Sequence, residues 1–158
     1  MKNFTDIRHM IAEAKGMEIT VEVKGFKGNM KKFEEFAEED GVVGMMVGFF
    51  DVPEPASLKY TGNKIVMGYN EQDLEDEGQN IKQVFKDVKS FCFEQSRSAK
   101  ATSKVVTDFL KKGGPKDDIE DVLDDADMAM PVDAIFRTAA LNGYGDFSKP
   151  FVYRATLK

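Results

Sequence analysis

The sequence predicts an α+β fold: a small mixed or antiparallel sheet of about four strands, packed by one long helix and several short ones. Three observations carry this reading. Met17 to Lys24 alternates, with Met17, Ile19, Val21 and Val23 facing one way and Glu18, Thr20, Glu22 and Lys24 the other, the pattern of a half-buried strand. From Asn80 to Lys112 apolar residues recur at three- and four-residue steps, the helical pattern. Gly41 to Phe50 is a ten-residue uncharged run between Asp40 and Asp51, too short for a membrane span, which needs about 20 apolar residues.

In order, residues 4–15 are expected as a short amphipathic helix with Phe4, Ile7, Ile11 and Ala14 on one face and Gly16 as its stop. The strand Met17–Lys24 follows, then a turn through Gly25 and Gly28. Asn29 caps a second helix whose stripe is Met30, Phe33, Phe36 and Ala37. The uncharged run contains Gly41, Gly44 and Gly48, and each glycine costs a helix about 1 kcal/mol relative to Ala. The run is therefore expected as a buried strand at the centre of the sheet.

Asp51 to Asn63, with Pro53 and Pro55, is expected as a loop, Lys64 to Asn70 as a strand, and Glu71 to Gly78 as irregular chain. The long helix spans Asn80 to Lys112, with a possible break in its polar middle, Gln95 to Ser98. Gly113-Gly114-Pro115 ends it. Asp117 to Met130 reads as an acidic helix with Ile119, Val122, Leu123, Ala126 and Met130 buried, and Pro131 opens another over Val132 to Leu141. Asn142 to Asp146 is a loop, and Phe151 to Leu157 returns as a strand. No internal repeat interrupts 1–158, and 158 residues with 42% hydrophobic content and 13 Phe suit a single domain.

Charge narrows the function classes. The net charge of −6 gives no footprint for direct nucleic-acid binding. Residues 113–158 hold 9 acidic and 5 basic side chains, so acidity gathers at the C-terminal end. One cysteine, Cys92 between Phe91 and Phe93, forms no internal disulfide and reads as a small buried hydrophobe. The first residues lack the apolar run of a signal peptide, so a protein that is soluble and intracellular where it is made is expected, with no membrane partner.

His9 is the only histidine, which leaves a usual transition-metal site or a Ser-His-Asp arrangement without its other members. Gly113-Gly114-Pro115-Lys116 ends a helix instead of opening one after a strand, the wrong setting for phosphate. Asp117 to Asp127 has seven carboxylates in eleven residues but no glycine at a bend, so a solvated helix face is favoured over a calcium loop. No catalytic residue, metal or cofactor is assigned, and a non-enzymatic role is expected. Asp121, Asp124 and Asp125, on one edge of the acidic helix, could attract a basic partner in a salt-dependent way.

The order of elements resembles tail-completion (head–tail connector, or neck) proteins of tailed bacteriophages. The resemblance rests on Ile19-Thr20-Val21-Glu22-Val23-Lys24-Gly25, a Lys/Glu helix, Val47-Gly48-Phe49-Phe50-Asp51 with a Pro-containing loop, Tyr69-Asn70-Glu71, a long helix, and Lys149-Pro150-Phe151 before a last strand. It touches about half of the chain. Gln72 stands where that family has Gly, and Glu75-Asp76-Glu77-Gly78 where it has Arg-Pro-Phe.

The resemblance implies a virion protein that forms a homo-oligomeric ring or binds other neck and tail proteins. Its contacts are expected in the loops 51–62 and 142–150, anchored by Tyr60, Tyr144 and Phe147. A second stretch, Asp118 to Asp127 with Met130-Pro131 and Ala134-Ile135-Phe136, is similar to small acidic anti-restriction proteins of phages that imitate DNA. The alternative it implies is an inhibitor of a host nucleic-acid enzyme, acting in the host cytoplasm.

Overall fold

The structure is a computed structural model and describes residues 17–39 and 41–158. The helix expected over 4–15, and His9 with it, lies outside the described residues. Among these, four antiparallel strands form one sheet in the order β2-β3-β1-β4: β1 (Glu18–Lys24), β2 (Ser57–Thr61), β3 (Lys64–Gly68) and β4 (Val152–Leu157). The helices are α1 (Met30–Glu38), α2 (Val42–Phe49), α3 (Glu71–Asp76), α4 (Ile81–Lys111), α5 (Ile119–Asp127) and α6 (Ala134–Leu141), with a 3-10 turn at Lys116–Asp118.

One sheet face is covered, completely over β1 and β3 and partly over the edge strands β2 and β4. Ile19, Val21, Val23, Ile65 and Met67 point into the main core, where they meet Phe33, Phe36, Val88, Phe91, Phe136 and Phe151. The other face carries Thr20, Glu22, Lys64 and Arg154, the one-sided burial common in antiparallel sheets. There Glu22 lies between Lys64 and Arg154 in register, opposite charges on neighbouring strands.

The fold class matches the expectation, but the membership of the sheet does not. The run Gly41–Phe50, expected as the central strand, is α2. A run that is apolar all round carries no periodicity to separate strand from helix. Its burial does: Val42 and Met46, one turn apart, enter the core, while Gly44 and Gly48 face outward, where a missing side chain loses no packing. Gly41 starts the helix in the left-handed region (φ +97°), and Met45 N–H donates to its carbonyl at 2.8 Å.

The remaining strand comes instead from Asp51–Asn63, expected as a loop, and lies at an edge of the sheet. Ser57-Leu58-Lys59-Tyr60-Thr61 alternates and pairs with β3 through the two-residue turn Gly62-Asn63, with Gly62 at φ +60°. Glu71–Gly78, expected as irregular, contains α3. The Asn70 side chain accepts from Asp73 N–H, Glu71 and Asp73 sit at the positive end of the helix, and Leu74 is buried.

The long helix has no break. It runs 31 residues, about 46 Å at 1.5 Å per residue, and its polar middle is where it grips other elements. Tyr153 N–H donates to Ser96 Oγ at 2.9 Å, so α4 occupies part of the outer edge of β4, a backbone row otherwise open to pairing with another chain. Gly113 (φ +87°) closes α4: its N–H donates to Leu110 and Gly114 N–H donates to Phe109, a Schellman cap. A smaller cluster of Val106, Ile119 and Leu123 fastens α5 to the C-terminal half of α4.

Candidate interaction surfaces

The three aromatic residues expected to anchor partners are largely engaged within the chain. Tyr60 sits edge-on to Phe33 at 6.2 Å between ring centroids, and its hydroxyl donates to Glu38 at 2.9 Å. Burial, then the neighbouring Glu38 and Glu34 carboxylates, push this phenol up from its ordinary value. Tyr144 stacks on Phe26 at 6.0 Å, with Lys32 Nζ 5.7 Å from its ring centre. Phe147 packs edge-on against Phe136 at 5.7 Å, and its carbonyl accepts from the Ser103 hydroxyl. These half-buried rings fasten strand β2 and the loop 142–150 to the body of the fold.

The acidic residues are not equivalent. Asp121 and Asp125 are exposed on α5 without a salt bridge or side-chain hydrogen bond among the described contacts, whereas Asp124 accepts from Arg137 at 2.6 Å. Asp127 is also committed, accepting from Val132 N–H at 3.0 Å. The outward acidic surface is therefore Asp117, Asp118, Glu120, Asp121 and Asp125. No group of three or more metal-binding side chains occurs among the described residues.

Two surfaces escaped the sequence reading. The first is α2. It contains no charged residue, yet Gly44, Gly48 and Phe49 are exposed, and Phe49 is 82% exposed in its last turn. In a chain that is 32% charged, an uncharged helix at the surface is unusual, since a helix apolar on every side is ordinarily buried. Only Met128, just after α5, is a more exposed large apolar side chain among the described residues, at 90%.

The second is a cleft of about 450 Å³ next to the exit of α2, between the 53–56 segment and α3. Pro53, Pro55 and Tyr69 form its walls, and Glu54, Asp73 and Glu77 its acidic rim. Tyr69 shapes it by donating from its hydroxyl to the Pro53 carbonyl at 2.8 Å, and burial raises the Tyr69 phenol above its ordinary value.

A buried polar centre lies deeper, between α4 and α6. Asp133, 3% exposed, caps α6: its Oδ1 accepts from Ile135 N–H at 3.0 Å and Phe136 N–H at 3.2 Å, and from the Gln95 amide at 2.9 Å. Asp133 N–H donates to Thr102 Oγ1 at 2.9 Å, while the Thr102 hydroxyl donates to Ser98. Burial pushes the Asp133 carboxyl up to about 6, against the lowering effect of its three donors. Burial likewise pushes the Cys92 thiol up to about 12 and the Tyr153 phenol well above its ordinary value, with smaller effects of Asp133 and Cys92 on Tyr153.

This centre was discoverable in part: an Asp directly ahead of Ala134-Ile135-Phe136 is a helix-start signal, and Gln95 and Thr102 interrupt an apolar stripe. Its interior position and hydrogen bonds suit a structural clasp. Compared with protein-family models, curated proteins and solved structures, the chain matches none of them.

Proposed function

We propose that this protein is an assembly subunit of the phage neck or tail-completion kind, acting through contacts with copies of itself and neighbouring virion proteins. The observation that supports the reading is the exposed, uncharged surface of α2 ending in Phe49. Such a surface gains free energy by being covered, at about 25 cal/mol per Å² of apolar area. A ring needs two different faces on each subunit. Phe49 and Met128, the two most exposed large apolar side chains among the described residues, are the candidates for those faces.

The test is solution mass by light scattering over a wide concentration range. The expected result is growth to several times 17.7 kDa that persists in high salt and is lost in Phe49→Asp. A mass that stays at 17.7 kDa at every concentration, and also in virion lysates probed by crosslinking, overturns the reading.

The exposed carboxylates of α5 favour a second reading, an inhibitor that meets a basic host enzyme. Replacing Asp121 and Asp125 by Asn would then abolish a salt-sensitive complex. Asp124 is a poor choice for this test because it holds Arg137.

A further inference from the structure

The sheet ends in two edge strands, β2 and β4, and hydrogen-bond parity decides which backbone groups each edge presents. Lys158 N–H donates to the Glu18 carbonyl at 3.0 Å. In the antiparallel register this turns Val152, Arg154 and Thr156 toward β1, and Tyr153, Ala155 and Leu157 outward. On β2 the two-residue turn Gly62-Asn63 makes Thr61 and Lys64 a hydrogen-bonded pair. Lys59 and Ser57 bond to β3 in step with Thr61, so the N–H and C=O groups of Leu58 and Tyr60 point outward. Ser96 takes the outward N–H of Tyr153. The outward groups of Leu58, Tyr60, Ala155 and Leu157 have no partner among the described residues.

A row of such groups is matched by another extended strand. Charge decides which strand of a second copy fits. Two β2 edges paired through all their open groups set Lys59 directly opposite the partner's Lys59. Two β4 edges set Arg154 opposite the partner's Lys158, again like charges on neighbouring strands. β2 against the partner's β4 avoids both conflicts. In this four-stranded antiparallel sheet β2 and β4 run in opposite directions, so sheets joined edge to edge stay antiparallel across the junction. Leu58 then lies opposite the partner's Leu157 and Tyr60 opposite the partner's Ala155, half-buried side chains meeting on the covered face. On the solvent face Lys59 meets the partner's Thr156 and Thr61 the partner's Arg154.

We infer that copies of this chain join edge to edge, the outward backbone groups of Leu58 and Tyr60 pairing with those of Leu157 and Ala155 of the partner subunit. The inference rests on the assembly reading and adds the contact that sets register and direction. Ser96 limits that register by sealing Tyr153, which leaves two residues of β4 open. The two edges are unlike, so each junction is head-to-tail, the kind of contact from which rings are built.

Cysteine crosslinking tests the register. Lys59 and Thr156 are exposed, and across the junction they form a directly opposed pair with Cβ atoms about 4.5–5.5 Å apart, within reach of a disulfide. Within one chain β3 and β1 lie between them, a separation of about 14 Å at about 4.8 Å per strand, too far for that bond. Lys59→Cys and Thr156→Cys chains are oxidised separately and mixed, with the native chain, whose Cys92 is buried, as control. The mixture should form disulfide-linked dimers several-fold faster than either variant alone, and a chain carrying both substitutions should give a ladder in steps of 17.7 kDa. Independently, Thr156→Lys should weaken self-association several-fold by opposing Lys59, and adding Lys59→Glu should restore it. Either single variant crosslinking as fast as the mixture overturns the inference, since like edges then pair. Absence of crosslinks while the native chain grows in mass overturns the edge contact and leaves the assembly reading standing. Absence of crosslinks with a mass fixed at 17.7 kDa overturns both.

Discussion

Gln95 and Asp133, 38 positions apart, join the middle of the longest helix to the start of α6 through one buried hydrogen bond of 2.9 Å. The bond uses the Asp133 oxygen that also receives two backbone N–H groups, so a helix cap and a tertiary clasp share one atom. The break considered at Gln95–Ser98 is absent for this reason. The polar residues there serve contacts across the fold, Gln95 to Asp133 and Ser96 to Tyr153, while the helical backbone continues.

Asp133→Ala should therefore cost more than an ordinary cap. Losing a cap costs about 1 kcal/mol, and leaving a buried amide such as Gln95 unpaired costs a further 1–3 kcal/mol. A total loss of about 2–4 kcal/mol in urea unfolding is expected. A loss under about 0.5 kcal/mol would mean the clasp contributes little.

The same carboxyl makes stability depend on pH with an unusual sign. Burial raises it from 3.8 to about 6, so between these values the folded chain binds a proton that the unfolded chain has released. Stability from this group is full below pH 3.8 and is lost as pH rises through 6. Relative to Asp133→Asn, which does not titrate, the native chain should lose about 2–3 kcal/mol between pH 4 and pH 7. Paired urea melts at several pH values measure this, and parallel curves for the two chains would refute it.

Cys92 should be chemically silent in the folded state. It is 4% exposed, and burial pushes its thiol up to about 12, so both access and thiolate formation are suppressed. Labelling by a thiol reagent at pH 8 is expected at least about 1,000-fold slower than in urea, tracking the opening of the core. Rapid labelling of the native chain would place a fluctuation of α4 near Phe91.

The fold was legible where residues alternate or step at helical spacing, and obscure where composition was uniform. β1 follows from Ile19, Val21 and Val23, whose polar neighbours mark the opposite face, and β4 from the alternation that buries Tyr153 and exposes Val152 and Arg154. The hairpin strand Ser57–Thr61 alternates equally well, but Pro53 and Pro55 drew the whole segment into one loop. The interaction surfaces were less readable still. Tyr60, Tyr144 and Phe147 carry the side chains of interface anchors, and only the tertiary fold brings them against Phe33, Phe26 and Phe136. Phe49 lay inside a run whose composition suggested burial, and its exposure depends on where α2 ends relative to the core.

The glycines of α2 give a direct test of that helix. A methyl group added at Gly44 or Gly48 meets nothing within 4 Å, and neither position has a positive φ. Alanine at either site thus keeps the backbone, removes freedom from the unfolded chain and raises helix propensity, worth about 0.5–1 kcal/mol each. Gly44→Ala and Gly48→Ala should stabilise the chain, singly and together, with helical circular dichroism unchanged or slightly raised. A buried central strand would respond in the opposite way, because alanine is a poor strand former and an added methyl would press on the layers covering it. Urea midpoints of the two variants and their combination separate the cases by sign, independently of any partner.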